Sequence, residues 1–386
     1  MLSGTFIRHF IALEDPRVDN HNRRHEMIDI LVITILANIC GADNWYEICE
    51  FAEAKYKFLK KFLKLPSGIP SHDTFARVFS LIDPKGFEKC FLSWIKSMQL
   101  DINKEIIAID GKTLRGSRNN NSGLKPIHLV SAWASKAGVM LAQVKTKEKS
   151  NEIEAIPRLL DLIDVENSIV TIDAMGCQKK IAEKITDKNA DYVLSLKDNQ
   201  KTLHDDVSSI FTLAEATQFK AMLNCRKLEK VRDHGRIETR RYSLISAKDP
   251  LPFELRWPGL KSIGMLEVRR TVNHVVTTSK RFFLTSLPYN NIDDFMTAAR
   301  KHWNIEINLH WSLDVSFRED MSRVRKGYAA ENLAYIRRIA LMLVKKQRTK
   351  KSGGIACLRK AAGWNNKFLV KVLNGGNQLS TICDKA

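Results

Sequence analysis

The period of the apolar positions changes along the chain. Over residues 1 to about 100 they recur every three to four residues, in Met27–Cys40, Asn44–Phe62 and Thr74–Leu81, which predicts a helical unit. The stretch LPSGIPSHDTF interrupts it with two prolines and a glycine, and Ser71 is the expected N-cap of the next helix, with Asp73 in its first turn. The most apolar segment, MIDILVITILANICGA from Met27, is too short to span a bilayer and carries Asp29 and Asn38. It reads as a core helix.

From residue 105 the period shortens. EIIAID is a short buried strand ending on Asp110, and KPIHLVSAWASKAGVMLAQVK is a hairpin turning at SKAG. NEIEAIPRLLDLI reads as a helix whose regular part starts at Pro157. SIVTIDAM is a strand ending near Asp173, QKKIAEKITDK an amphipathic helix, and ADYVLSLK a strand. Hairpins pair antiparallel and helical crossovers pair parallel, so the class is α/β: a mixed sheet covered by helices. Residues 204–290, with CRKLEKVRDHGRIETRRYSLIS, SIGMLEVRRTVN and KRFFLTSL, read as a basic β-rich insertion. Residues 291–386 return to helix, in IDDFMTAARKHWNIEINLHW and AAENLAYIRRIALMLVKKQ. The expected divisions are 1–100, 101–203, 204–290 and 291–386.

Charge narrows the partner. The chain has 386 residues, 62 Lys+Arg against 43 Asp+Glu, and a net charge of +19. That field favours a polyanion, nucleic acid before an anionic membrane. Lys55, Lys57, Lys60 and Lys61 fit either a DNA-binding helical module or a solvated charged face. Seven scattered cysteines without a CxxC pair or zinc-like spacing fit free thiols in a reducing cytoplasm.

The chemistry lies in three carboxylates. Asp110 and Asp173 each end a strand, and a hairpin to one side followed by a crossover to the other sets those two strands side by side. An Asp before Gly, as in DGKT, also has turn chemistry as its ordinary role. Two close carboxylates repel unless a cation lies between them, and Mg²⁺ suits oxygen ligands. Glu306 is the third candidate. It sits in RKHWNIEINLHWSLD, amid Trp303, Ile305, Leu309, Trp311 and Leu313, where an unpaired charge is costly. His302, Glu306, His310 and Asp314 recur every fourth position, which also fits an intrahelical ladder, and Glu306 with His310 could share one metal such as zinc.

Five motifs in order, IAIDGKTLRGS, VTIDAMGCQKKIA, DYVLSLKDNQ, HGRIETRRY and HWNIEINLHWSLDVSFRED, resemble the DDE transposases of bacterial insertion sequences, in the branch of the H-repeat-associated proteins. PSHDTFARVFSLIDP and AAGWNNKFLVKVL extend the resemblance over nearly the whole chain. It implies a ribonuclease-H-like core with a β-rich insertion, and Asp110, Asp173 and Glu306 as the metal-binding triad. Related transposases carry Tyr, Arg and Lys around the Glu; here those positions are Ala299, His302 and Leu313, and Ile307 stands where Asn is expected.

The implied activity is cleavage at element ends and transfer of the freed 3′-hydroxyl into target DNA with Mg²⁺, Mn²⁺ substituting. The implied partners are double-stranded DNA bearing terminal inverted repeats, target DNA, and a second copy in a DNA-bound homodimer, on a bacterial nucleoid with no membrane. Lys112 and Arg115, one short step past Asp110, are placed for the DNA backbone. So are Lys197 and Gln200, His302, Arg236 with Arg240 and Arg241, and Arg323 with Arg325. Trp303 either packs into the core or stacks on an unpaired base. The alternatives are a DNA-binding protein without catalysis and a nuclease without strand transfer.

Overall fold

The computed structural model describes residues 6–20, 23–146, 152–233, 236–248 and 257–375. Six helices come first: α1 (Ile7–Phe10), α2 (Met27–Cys40), α3 (Trp45–Ala54), α4 (Tyr56–Leu59), α5 (His72–Leu81) and α6 (Pro84–Ser97). α2 is the apolar segment, and eleven of its fourteen residues are buried, so it is a core helix as read. Ser71 caps α5, its side chain accepting from the Thr74 N–H.

β1 (Ile106–Leu114), β2 (Ile127–Ala134) and β3 (Val139–Thr146) form an antiparallel meander. α7 (Glu152–Leu162) leads to β4 (Ile169–Ile172) and α8 (Lys179–Asp187) to β5 (Asp191–Leu196), both parallel to β1. The crossovers therefore do what their period indicates. One detail differs. α7 starts at Glu152 and runs through Pro157, because Ala155, Ile156, Leu159 and Leu160 bury one continuous face.

α9 (Lys201–Ala216) comes next, then β6 (Asn224–Asp233), β7 (Arg236–Ser246), β8 (Ser262–Val272) and β9 (Val275–Thr285). The full order is β3-β2-β1-β4-β5-β9-β8-β7-β6, nine strands in one sheet. The first five strands form the mixed sheet that the resemblance implies as the ribonuclease-H-like core. The other four extend that same sheet through antiparallel pairing of β9 on β5. The stretch 204–290, read as a basic β-rich insertion, thus opens with most of a helix. Val207, Ile210, Phe211 and Ala214 are buried at helical spacing, and Phe211 stacks on Phe282 of β9 at 5.7 Å. Residues 234–235, between β6 and β7, lie outside the described residues.

The chain then forms α10 (Ile292–Lys301), α11 (Trp303–Ile305), a π-helical segment Glu306–Trp311, and α12 (Ser312–Phe317). α13 (Ala329–Lys345), α14 (Ile355–Trp364) and α15 (Asn366–Leu373) close it. α10 packs Phe295, Ala298 and Ala299 onto Tyr242, Leu244, Leu266 and Phe283 of the extended sheet. α13 is buried almost end to end and touches α2, α5, α6 and β3. Its Asn332 amide donates to the Phe79 and Ile82 carbonyls. The first hundred residues therefore share a core with the last helices instead of standing apart. Among the described residues no single helix is long and apolar enough to cross a membrane.

Candidate active site

Parallel pairing of β1 with β4 aligns Ile109 with Ile172, so the next residue on each strand is Asp110 and Asp173. The Asp110 carboxylate accepts from the Gly111 N–H at 2.9 Å. Asp173 accepts from the N–H groups of Met175 and Gly176, which shapes the loop beyond β4. Even-numbered residues of β1 face α10–α12, since Lys112 reaches Asp314 on α12. Asp110 shares that face.

The helical stretch laid across this face has three stripes. Ile305, Leu309 and Leu313 are fully buried and anchor it. Trp303, Ile307, Trp311 and Val315 are 49–60% exposed. His302, Glu306, His310 and Asp314 form the third stripe, which meets the middle of β1 and the C-terminal end of β4. The expected ladder is reduced to one rung, His310 Nδ1 at 3.7 Å from Glu306 Oε2. The other contacts reach across to the sheet. His302 Nδ1 is 3.1 Å from Thr171 Oγ1 on β4, His310 Nδ1 is 3.5 Å from Asp110 Oδ2, and the Lys112 ammonium donates to both Asp314 oxygens at 2.6 and 2.7 Å. The π-helical segment from Glu306 to Trp311 carries the Glu and His of this contact, and such segments recur at functional positions. The sequence reads as one unbroken helix and does not show it.

Asp110, Glu306 and His310 place ligand atoms within 4.8 Å of one another. Asp173 stands outside that group, on the adjoining strand end. Burial, then the nearby Glu306 and Asp173 charges, push the Asp110 carboxyl up to about 8. Burial also raises Asp173, with Glu152 as the next cause and Lys197 partly offsetting it. Glu306, half exposed, is held low by its hydrogen bond to His310. Burial holds the His310 imidazole below its ordinary value, and its Nε2 is buried without a hydrogen-bond partner. Carboxylates forced together and one proton retained among them are what a cation would relieve. A donor set dominated by carboxylate oxygens fits a hard divalent ion such as Mg²⁺ or Mn²⁺ better than zinc, whose sites favour nitrogen and sulfur.

On the opposite face of β1, His128 Nε2 pairs with Glu152 Oε1 at 2.7 Å and its Nδ1 meets Thr113 Oγ1 at 2.8 Å. Gly111 lies against that pair; a Cβ there would meet His128 Nε2 at 2.6 Å and collide with the Glu152 carboxylate.

The residues expected at DNA fall into two groups. Lys112 is turned inward: it is 7% exposed, with Asp320 a further partner at 3.4 Å. His302 is half-buried, and desolvation pushes it down to about 4, so it is neutral and offers phosphate no charge. Gln200 donates to the Cys177 carbonyl and steadies the loop after Asp173. Arg236 and Arg240 lie beside Glu238, and Arg241 donates to Glu267. Arg115, Lys197 and Arg323 are exposed, and half-buried Arg325 donates to the Gly116 carbonyl. Trp303 is not a core residue; its ring lies 5.3 Å from the Arg281 guanidinium. Sequence reasoning missed Asp314 and Asp320 as partners of Lys112, and placed His310 in the helix ladder or in a zinc alternative without pairing it with Asp110. The four-residue repeat was the available signal for Asp314.

Residues 102–343 match the family described as Transposase DDE domain, and residues 7–95 match the one described as DDE_Tnp_1-associated. "Putative transposase YncI" of Escherichia coli O157:H7 is 41% identical over 367 residues, 94% of this chain and 93% of that one. "H repeat-associated putative transposase YhhI" of Escherichia coli strain K12 is 38% identical over 360 residues, 91% and 93% of the two chains. A solved piggyBac transposase synaptic complex with hairpin DNA overlaps 97% of this chain and 76% of its own, at 12% identity and a TM-score of 0.43, too distant a likeness to build on. On the match across most of its length and on these relatives, the chain belongs to the DDE transposase family.

Proposed function

We propose that this protein cuts DNA at the ends of an insertion sequence and transfers the freed strand into target DNA, with a divalent cation held by Asp110, Glu306 and Asp173. The observation that carries this is the convergence of Asp110, Glu306 and His310 within 4.8 Å midway along β1, with Asp173 directly after the paired strand β4. When bound, Mg²⁺ or Mn²⁺ supplies the polarisation that makes water, and then a 3′-hydroxyl, nucleophilic towards a phosphodiester.

The chain's own residues do the rest. Asp110 would release its proton to solvent as the cation binds, and Asp110 and Glu306 would then present carboxylate oxygens. His310, kept neutral by burial, faces both carboxylates and orients them. Lys112, clasped by Asp314 and Asp320, ties β1 to the helix that carries Glu306. Lys197, Arg115 and Arg323 remain exposed for the DNA backbone. The partners are duplex DNA carrying the element's terminal inverted repeats, target DNA, and a second copy of this chain on the paired ends.

The test is a comparison of wild type with Glu306→Gln on supercoiled DNA carrying the element's own ends, with Mg²⁺. Wild type nicks at the ends and the variant binds without cutting. Binding by both with cutting by neither, under Mg²⁺ or Mn²⁺, leaves a DNA-binding protein without catalysis. Cutting without any joined product leaves a nuclease.

A further inference from the structure

β1 does not stop at Asp110. It runs on to Leu114, and residues 115–121 then turn along the loop 320–325 that follows α12. The two segments are zipped together. The Arg115 N–H donates to Asp320 Oδ1 at 3.3 Å, and Arg325 Nε donates to the Gly116 carbonyl at 3.2 Å. Gly116 fits so closely under the loop that a Cβ would collide with the Ser322 carbonyl and lie 2.7 Å from that of Asp320. Between them they form a groove of about 550 Å³.

Its walls carry Arg115, Arg118, Arg323 and Arg325 against one acid, Asp320. That acid is already engaged by Lys112 and Arg115. Arg118 and Arg323 are exposed and make no ion pair among the described residues. Asn120 and Asn121 add neutral donors, and among the described residues no aromatic ring lines the groove. Four guanidinium groups with amides match phosphate oxygens, and the lack of an aromatic face leaves nothing for a base to stack on.

We infer that this groove is a track for the sugar–phosphate backbone of the DNA being cut, away from the scissile phosphate itself. The inference rests on the proposed function and assigns a second binding surface to it. The near wall, Thr113, is three residues past Asp110, about 10 Å at the rise of a strand. Backbone phosphates advance about 3.4 Å per nucleotide along the duplex axis, so the groove meets phosphates roughly three to six nucleotides from the cut. It holds the duplex in register and reads no base.

The experiment measures binding of a duplex carrying the element's own end by fluorescence anisotropy, across a salt series without divalent ions. It compares wild type with Arg118→Ala/Arg323→Ala and Arg118→Lys/Arg323→Lys. Each lost phosphate contact lowers the slope of log K against log salt by about 0.9, so the alanine pair lowers it by about 2 and the lysine pair keeps it. Ethylation of phosphates three to six nucleotides from the cut weakens wild type and no longer affects the alanine pair. An unchanged slope with an unchanged ethylation pattern overturns the groove. Wild type that binds no duplex at low salt overturns it too. Wild type that binds with these signatures but cuts nothing when Mg²⁺ is added overturns only the catalytic reading.

Discussion

Replacing the carboxylate at the centre of the site should make the metal-free protein more stable. Asp110 is buried, and burial together with Glu306 and Asp173 pushes its carboxyl from 3.8 up to about 8. In the unfolded chain the proton leaves near 3.8; in the folded chain it stays until about 8. Across that window the unfolded state binds fewer protons, so folding stability falls as pH rises from about 4 to about 8 and the full penalty is present above it. Four pKa units at about 1.4 kcal/mol each set an upper bound of about 6 kcal/mol. Glu306 is half exposed and can turn towards water, which relieves part of the repulsion, so about 3 kcal/mol is expected.

Asp110→Asn keeps the shape and the acceptor for the Gly111 N–H while removing the charge. Urea unfolding in EDTA at pH 5 and pH 8.5 measures the effect. Wild type loses about 3 kcal/mol between the two, and the variant loses much less. Adding Mg²⁺ at pH 8.5 restores wild type and leaves the variant unmoved, because binding to the native state alone stabilises it. A variant that is less stable than wild type at pH 8.5, or one that shows the same pH slope, would refute the idea that repulsion among these carboxylates is held in the fold.

Asp314→Asn leaves the Lys112 ammonium, 7% exposed, with only the longer contact to Asp320; a loss of about 2 kcal/mol is expected, whereas Lys112→Met costs less because Asp314 is a third exposed and can hydrate. Chemical denaturation of both singles and the double variant measures the coupling, and strictly additive losses would deny the clasp. Gly111→Ala forces a methyl onto the His128–Glu152 pair and should cost about 1–3 kcal/mol, read as a lower urea midpoint at unchanged slope; a neutral result would place that pair elsewhere.

The sheet and its two acids were legible because local rules govern them. A hairpin and two crossovers leave β1 and β4 adjacent, and that adjacency brings Asp110 beside Asp173. What the sequence hid follows from geometry acting at a distance. Nothing local says that β9 pairs with β5, since that pairing joins Leu194 to Leu284, ninety residues apart. The loss of α9 from the reading is different: Leu203, Val207, Ile210 and Ala214 carry its period plainly, and the basic strands behind it masked the change. Trp303 and Trp311 misled by chemistry, because large aromatics are usually inside, and here both face solvent.

The helix across the sheet shows why Glu306 can sit where it does. Leu309 and Leu313 fix its rotation by burial, and each buried leucine contributes about 2 kcal/mol towards that choice. Once rotation is set, residues at 302, 306, 310 and 314 must meet β1 and β4, and they find partners of three kinds: the Thr171 hydroxyl for His302, the protonated Asp110 carboxyl for both Glu306 and His310, and the Lys112 ammonium for Asp314. A uniform stripe of acids there would repel the sheet. The neutral His302 and His310 separate Glu306 from further charge on its own helix, and Lys112 absorbs Asp314. The result is that the repulsion is concentrated on Asp110 and Glu306, with Asp173 beside them, where a cation relieves it, while the remainder of the contact is neutral or paired.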